Sequence, residues 1–315
     1  VDAPRTIIID TDPGQDDAVA ILLALAAPEA LDIRAITTVA GNMPLDVVTR
    51  NACALLELAG RTDVPVHAGC DAPWQRAPVT AAHVHGESGL DGANLPIPQL
   101  MPGKAHAVDV IIRAATEAPN RGLTLCALGP LTNIATALVR TPEIKPKIRE
   151  IVLMGGAIGL GNITPSAEFN IYADPHAAAA VFAAGVPIVM LPLEATHQVL
   201  ATAAWADRML ALGTHAGRMI GGMYGHATRT RHLRRHKGRG VPLHDPCVIG
   251  YLLWPELFAG TECYVAVETA GELTMGRTVV DRWGTMRRPP NALVIERVDA
   301  DALLTRLSTR ISRLP

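Results

Sequence analysis

The chain has 315 residues, 49% of them hydrophobic and 18% charged, which is enough apolar material for one large core or two modest ones. Its formal net charge of -2 gives no electrostatic case for nucleic acid or a membrane as partner. Five well-separated cysteines, Cys53, Cys70, Cys126, Cys247 and Cys263, form no CxxC pair, and an odd count argues for reduced, mostly core thiols rather than a disulfide framework.

The sequence opens Val1-Asp2-Ala3-Pro4-Arg5, without the basic segment and apolar stretch of a signal peptide, and no later apolar run reaches transmembrane length, so a cytoplasmic location is expected. Residues 6–10 are an apolar, β-branched run that predicts a buried strand, Pro13-Gly14 predicts a sharp turn and residues 18–27 a helix. Further strands are predicted at 33–39, 64–68, 123–128, 150–154 and 187–193, with amphipathic stretches between most of them. This alternation specifies βαβ units, hence an α/β fold with an open, mainly parallel, Rossmann-like sheet flanked by helices. Past residue 197 the pattern turns to helices at 201–212, 215–235 and 245–253, then strand-like segments at 263–269, 278–282 and 293–297 and a final helix at 300–313. The helical part is expected to lie over the carboxyl ends of the strands. No repeat, low-complexity tract or linker interrupts the chain, and the chemical motifs run from Asp12 to Asp245, so 1–315 reads as a single domain.

In open α/β sheets the ligand lies beyond the carboxyl ends of the strands. The segments that follow the predicted strands are Asp12, Ala40-Gly41-Asn42, the loop 83–92, Gly129-Pro130-Leu131-Thr132-Asn133, Gly155-Gly156-Ala157 and Glu194-Ala195-Thr196-His197, and they are expected to converge on one pocket.

Three of these regions carry chemistry. The first is Asp10-Thr11-Asp12-Pro13-Gly14-Gln15-Asp16-Asp17-Ala18, four carboxylates gathered where a strand end meets a helix start. Ionised carboxylates this close repel strongly outside bulk water, so the site must raise some pKa values or bring in a cation, and a hard, oxygen-preferring metal is the economical answer. The plainer alternative, Asp16 as a helix cap and the rest in a solvated turn, accounts for one or two aspartates but not four. The second is Gly161-Asn162-Ile163-Thr164-Pro165-Ser166-Ala167-Glu168-Phe169-Asn170. If its end is extended, Glu168 and Asn170 share a side as a comb for vicinal hydroxyls, and Phe169 points into the core. Taken alone it reads more readily as a polar surface loop before a helix starting near Asp174-Pro175. The third is Val241-Pro242-Leu243-His244-Asp245-Pro246, where Asp245 could cap a helix that begins with Pro246 and still spare an oxygen for a metal. His244 beside it could donate a proton.

Together these segments resemble the inosine-uridine preferring nucleoside hydrolases. The resemblance is carried by the aspartate run, by Thr38-Val39-Ala40-Gly41-Asn42, His85-Gly86-Glu87-Ser88-Gly89-Leu90-Asp91-Gly92, Leu128-Gly129-Pro130-Leu131-Thr132-Asn133, Ala167-Glu168-Phe169-Asn170 and His244-Asp245-Pro246, in the right order over nearly the whole chain. It implies a Ca²⁺-dependent enzyme that splits the N-glycosidic bond of ribonucleosides into ribose and a free base, and a homodimer or homotetramer. By the same resemblance Asp12, Asp17, Asp245 and the Leu128 carbonyl hold the ion, and Asp12 doubles as general base for the attacking water. Asp16, Asn42, Glu168 and Asn170 bind ribose, with the Met154 main chain close by. His244 is the candidate proton donor to the leaving base, and His85 an alternative contact to base or sugar.

Base preference stays open. Aromatic residues are only 3% of the chain, leaving Tyr224, Trp205 and Phe169 as candidates to stack on a base, with Phe169 the more core-like. The basic run within 229–239 reads as a solvated helix face rather than a phosphate site. Two other classes compete, a non-catalytic ribose-binding protein and a metal-dependent phosphohydrolase. The second lacks a P-loop and has no use for the Glu168/Asn170 pair.

Overall fold

The computed structural model describes residues 3–86, 88–230 and 240–315, without the side chains of 83, 85 and 226–230. The predicted helix at 215–235 is therefore seen as His215–Thr230, and its remainder, with most of the basic run, lies outside the described residues.

Strands β1 (Arg5–Thr11), β2 (Leu31–Thr38), β3 (Val66–Ala68), β4 (Leu123–Ala127), β5 (Ile148–Met154) and β6 (Ile188–Leu191) all run parallel. After the short pair β7 (Leu200–Ala201) and β8 (Val241–Pro242) come β9 (Phe258–Val267), β10 (Thr278–Asp281) and β11 (Ala292–Val298). The nine-stranded sheet has the order β10-β9-β11-β6-β5-β4-β1-β2-β3, in which β11 joins β6 in parallel while β9 and β10 add an antiparallel edge. It is a mainly parallel α/β sheet with flanking helices, as the pattern of apolar runs predicts.

The Ile7-Ile8-Ile9 run explains why β1 is central. All three side chains are fully buried, Ile7 and Ile9 in the core on one face and Ile8 in the core on the other. Alternate residues of a strand point to opposite faces, so a strand covered on both sides needs an unbroken apolar run. The helix Gln15–Leu25 is buried along nearly its whole length and packs against the helix Pro246–Leu253, which brings Asp16 and Asp17 beside Asp245. β3 is shorter than its predicted span; Pro65 before it has no N–H to donate, although its carbonyl accepts from Ile36 N at 2.9 Å.

The chain leaves β1 toward β2 and β3, then crosses back to place β4 on the other side of β1. The strand order therefore reverses between β1 and β4, the switch point at which open α/β sheets bind ligands. Thr11 ends β1 and Ala127 ends β4, so Asp12 and Leu128 emerge side by side there. The segment between β7 and β8 holds the helices Ala203–Ala211 and His215–Thr230 and brings Tyr224 to the same end of the sheet. Among the described residues no helix is long and apolar enough to cross a membrane.

Candidate active site

A cavity of about 600 Å³ opens at the switch point, within the ~300–1,000 Å³ usual for small-molecule sites. Of the residues singled out in the sequence, Asp16, Asn42, Leu128, Met154, Glu168, Asn170, His244 and Asp245 line it. Asp12 and Asp17 are fully buried behind that lining. The side chain of His85 lies outside the described residues.

Local structure decides which aspartates are free for chemistry. Gly14, not Asp16, is the N-cap of the helix Gln15–Leu25, and Asp17 reaches back to accept from Gly14 N at 3.0 Å. Asp17 also accepts from Thr11 Oγ1 at 2.6 Å and Asn42 Nδ2 at 3.2 Å, which fixes its carboxylate rigidly. Asp16 is spared capping and faces the cavity. Asp245 stands at the N-cap of the helix Pro246–Leu253 but its side chain makes no capping hydrogen bond, so the cap position and an available carboxylate coexist.

Asp12 is held differently. Its Oδ2 accepts from Asn42 N at 2.6 Å, while Oδ1 is buried without a hydrogen-bond partner among the described residues. Its neighbours leave no room for side chains, since a Cβ on Gly41 would fall on Oδ2 and one on Gly129 on Oδ1. Asp16, Asp17 and Asp245 each bring a carboxylate oxygen to within 4.8 Å of one another. Burial first, and then the charge of Asp17, push the Asp12 carboxyl well above the usual range; Asp245 is raised by burial and then by Asp16, Asp17 and Asp12. A divalent cation in their midst would replace the protons this cluster otherwise retains. The donor set is all oxygen, and the buried Asp12 Oδ1 has an acceptor lone pair that no described residue satisfies, so the residues fit a hard metal ion.

The second constellation differs from expectation. The chain is not extended through Asn170; Glu168 caps a short helix, Phe169–Ala173, accepting from Asn170 N at 2.9 Å and Ile171 N at 3.2 Å. Its other partner is Gly156 N at 2.9 Å, and burial raises its pKa to about 7. Phe169 is buried, as its core-like reading expects, and also forms part of the cavity wall. Asn170 Nδ2 bridges the Leu128 carbonyl at 2.6 Å and the Met154 carbonyl at 3.1 Å, so the carboxamide spans the ends of β4 and β5.

On the opposite wall Thr196 Oγ1 lies 2.7 Å from His244 Nδ1, and the His197 ring stands 5.4 Å from the His244 ring. Tyr224 lines the cavity, whereas Trp205 sits behind it in an edge contact at 5.7 Å, with its indole donating to Ser308, and so is no base-stacking residue. Gln15, Asn162, Glu194 and His197 also line the cavity without having been assigned a role. Asn162 Oδ1 accepts from Phe169 N at 2.8 Å, and Gln15 Nε2 donates to the Asp91 carbonyl at 3.0 Å. Both stand in motif-bearing segments, 10–18 and 161–170, but only their neighbours in space show what they face.

Fold and site together define an α/β enzyme with an acidic, metal-compatible floor at the switch point and a cavity sized for a small polar ligand. The chain belongs to the inosine-uridine preferring nucleoside hydrolase family, whose model it matches over residues 7–305. It is 44% identical over 306 residues to the pyrimidine-specific ribonucleoside hydrolase RihA of Citrobacter koseri, covering 97% of each chain. Its structure resembles a purine-preferring ribonucleoside hydrolase from Gardnerella vaginalis (TM-score 0.91, 32% identity, 98% of each chain). A plant nucleoside hydrolase is equally similar (TM-score 0.90, 33% identity, 98% of this chain and 99% of that one). The protein is thus a hydrolase acting on the N-glycosyl bonds of ribonucleosides.

Proposed function

We propose that hydrolysis depends on Ca²⁺, with Asp12, Asp17, Asp245 and the Leu128 carbonyl as its ligands, and that pyrimidine ribonucleosides are the better substrates. The observation that most supports a cation is the Asp12 Oδ1 atom, buried without a partner among the described residues in a carboxyl that feels the charges of Asp17 and Asp16, while Asp16, Asp17 and Asp245 bring their oxygens within 4.8 Å of one another. Bound there, Ca²⁺ would supply the charge that lowers the pKa of a water and fixes its place next to the sugar.

Asp12 takes the proton of the attacking water as the bond to the base breaks. Asp16, Asn42, Glu168 and Asn170 hold the ribose hydroxyls, with the Met154 main chain beside them. The backbone N–H groups of Gly156, Asn170 and Ile171 already donate to the Glu168 carboxyl, which fixes its orientation at the sugar. Positive charge develops on the sugar in the oxocarbenium-like transition state, and an anionic floor favours that state over the neutral substrate. His244 delivers a proton to the departing base, Tyr224 packs against it, and His85 is a further contact.

The pyrimidine preference is supported by 44% identity to a pyrimidine-specific relative against 32% to a purine-preferring one. We further propose that 1–315 acts as one functional domain in a cytoplasmic homodimer or homotetramer. The test is release of free base from a nucleoside panel, with and without chelator. Loss of activity on chelation, its return with Ca²⁺, and a kcat/KM at least ~10-fold higher for uridine or cytidine than for inosine are expected. Equal values for the two base classes contradict the preference; full activity in metal-free protein contradicts the cation.

A further inference from the structure

Asn133 ends the Leu128-to-Asn133 motif and takes no part in the chemistry above, yet it is fully buried at the centre of a polar network beneath the aspartates. Its Nδ2 donates to Asp10 Oδ1 at 2.9 Å and to the Thr38 carbonyl at 3.0 Å, and its Oδ1 accepts from Cys70 N at 2.8 Å. The Cys70 carbonyl in turn accepts from Ala40 N at 2.9 Å, and Thr37 Oγ1 donates to Asp10 Oδ1 at 2.6 Å. One carboxamide thus ties the ends of β1 and β2 and the chain after β3 to the helix Thr132–Arg140. Gly69 lets the chain come this close, since a Cβ there would fall on the Asn133 carboxamide.

We propose that Asn133 is a positioning residue for the cation and water site, setting through Asp10 the spacing of Asp12, Asn42 and the Leu128 carbonyl. The links are short. The Asp10 carbonyl accepts from Leu128 N at 2.8 Å, which pins β4 to β1 where the Leu128 carbonyl emerges. Asp12 lies two residues beyond Asp10, and Asn42, two beyond Ala40, donates its N–H to Asp12 Oδ2 at 2.6 Å. Among the described residues Asp10 Oδ2 is buried without a partner, so losing Asn133 would leave the carboxyl with Thr37 as its one side-chain donor among them. The Thr38 carbonyl and Cys70 N–H would lose their side-chain partner too. Buried polar groups deprived of partners shift until they are satisfied. The segments that can shift here carry Asp12 and Asn42.

This inference rests on the divalent-cation reading, and its test separates the two. Ca²⁺ binding to Asn133→Ala is measured by titration calorimetry, with circular dichroism to establish folding, and kcat and KM taken at saturating Ca²⁺. Partners that orient metal ligands typically contribute ~10–100-fold, so Ca²⁺ affinity is expected to fall by ~10-fold or more and kcat by a similar factor, with KM changing far less. Thr37→Val removes the other side-chain donor to Asp10 while keeping Asn133; it is expected to weaken Ca²⁺ binding in the same direction and serves if Asn133→Ala does not fold. A purely architectural amide would lower thermal stability alone. Wild-type Ca²⁺ affinity and kcat in a folded variant overturn the proposal, whereas a wild-type protein that binds no Ca²⁺ overturns the cation reading and the proposal with it.

Discussion

Thr196 Oγ1 and His244 Nδ1 lie 2.7 Å apart, and Thr196 is fully buried, so the hydroxyl anchors the imidazole from the protein side. If His244 protonates the leaving base, His244→Ala should lower kcat by the ~10²–10⁴ typical of general acid catalysis on natural nucleosides, and much less on a nitrophenyl riboside whose leaving group needs no proton. Thr196→Val should show the same selectivity at smaller size, because the ring remains but loses its anchor. Equal losses on both substrates would remove His244 from proton transfer.

2′-Deoxynucleosides should be poor substrates. A site built to hold a hydroxyl leaves buried polar groups unsatisfied when that hydroxyl is missing, a loss that can reach ~10⁴ in discrimination. Comparable kcat/KM for uridine and 2′-deoxyuridine would contradict the sugar-binding roles given to Asp16 and Asn170.

Asp245→Ala should weaken Ca²⁺ binding by ~10-fold or more, since it removes one of the three side-chain ligands proposed for the ion. Calorimetry on the purified variant measures this directly. Unchanged affinity would take Asp245 out of the metal set.

Stability of the metal-free protein should depend on pH through Glu168. Burial raises its folded-state pKa from 4.5 to about 7, so the folded state binds the proton more tightly than the unfolded chain. The stabilisation is full below the unfolded value and is lost as pH rises through the folded one, a window from 4.5 to about 7. In chelator, Tm should fall over that window, and Glu168→Gln should flatten the profile by roughly 2–5 °C. An identical slope in the variant would assign the dependence to other groups.

Much of the fold is legible in the sequence because burial on both faces forces continuous apolar runs, as at Ile7-Ile8-Ile9. The turn chemistry at Pro13-Gly14 marks where the first of them delivers its aspartates. Short elements are less legible. The five-residue helix Phe169–Ala173 is too brief to show a period, and Glu is not a favoured N-cap, so Glu168 and Asn170 read more naturally as an extended comb. Which aspartate braces the helix start depends on Gly14 taking the cap, and composition does not separate Asp16 from Asp17. Asn162 and His197 come from loops whose meeting is a product of tertiary packing, and neither has a local signal beyond its place after a strand.

The central claim is that Asp12 both holds the ion and accepts the proton of the attacking water, and Asp12→Asn tests it most directly. The substitution keeps the size and one oxygen but removes the base. Single-turnover and steady-state kinetics are measured on a nitrophenyl riboside, with Ca²⁺ occupancy determined in the same preparation so that lost ligation is separated from lost proton transfer. With metal bound, kcat should drop by ~10²–10⁴ while substrate affinity, carried by Asp16, Asn42 and Asn170, changes far less. Near wild-type kcat on that riboside in the Ca²⁺-loaded variant would contradict the account.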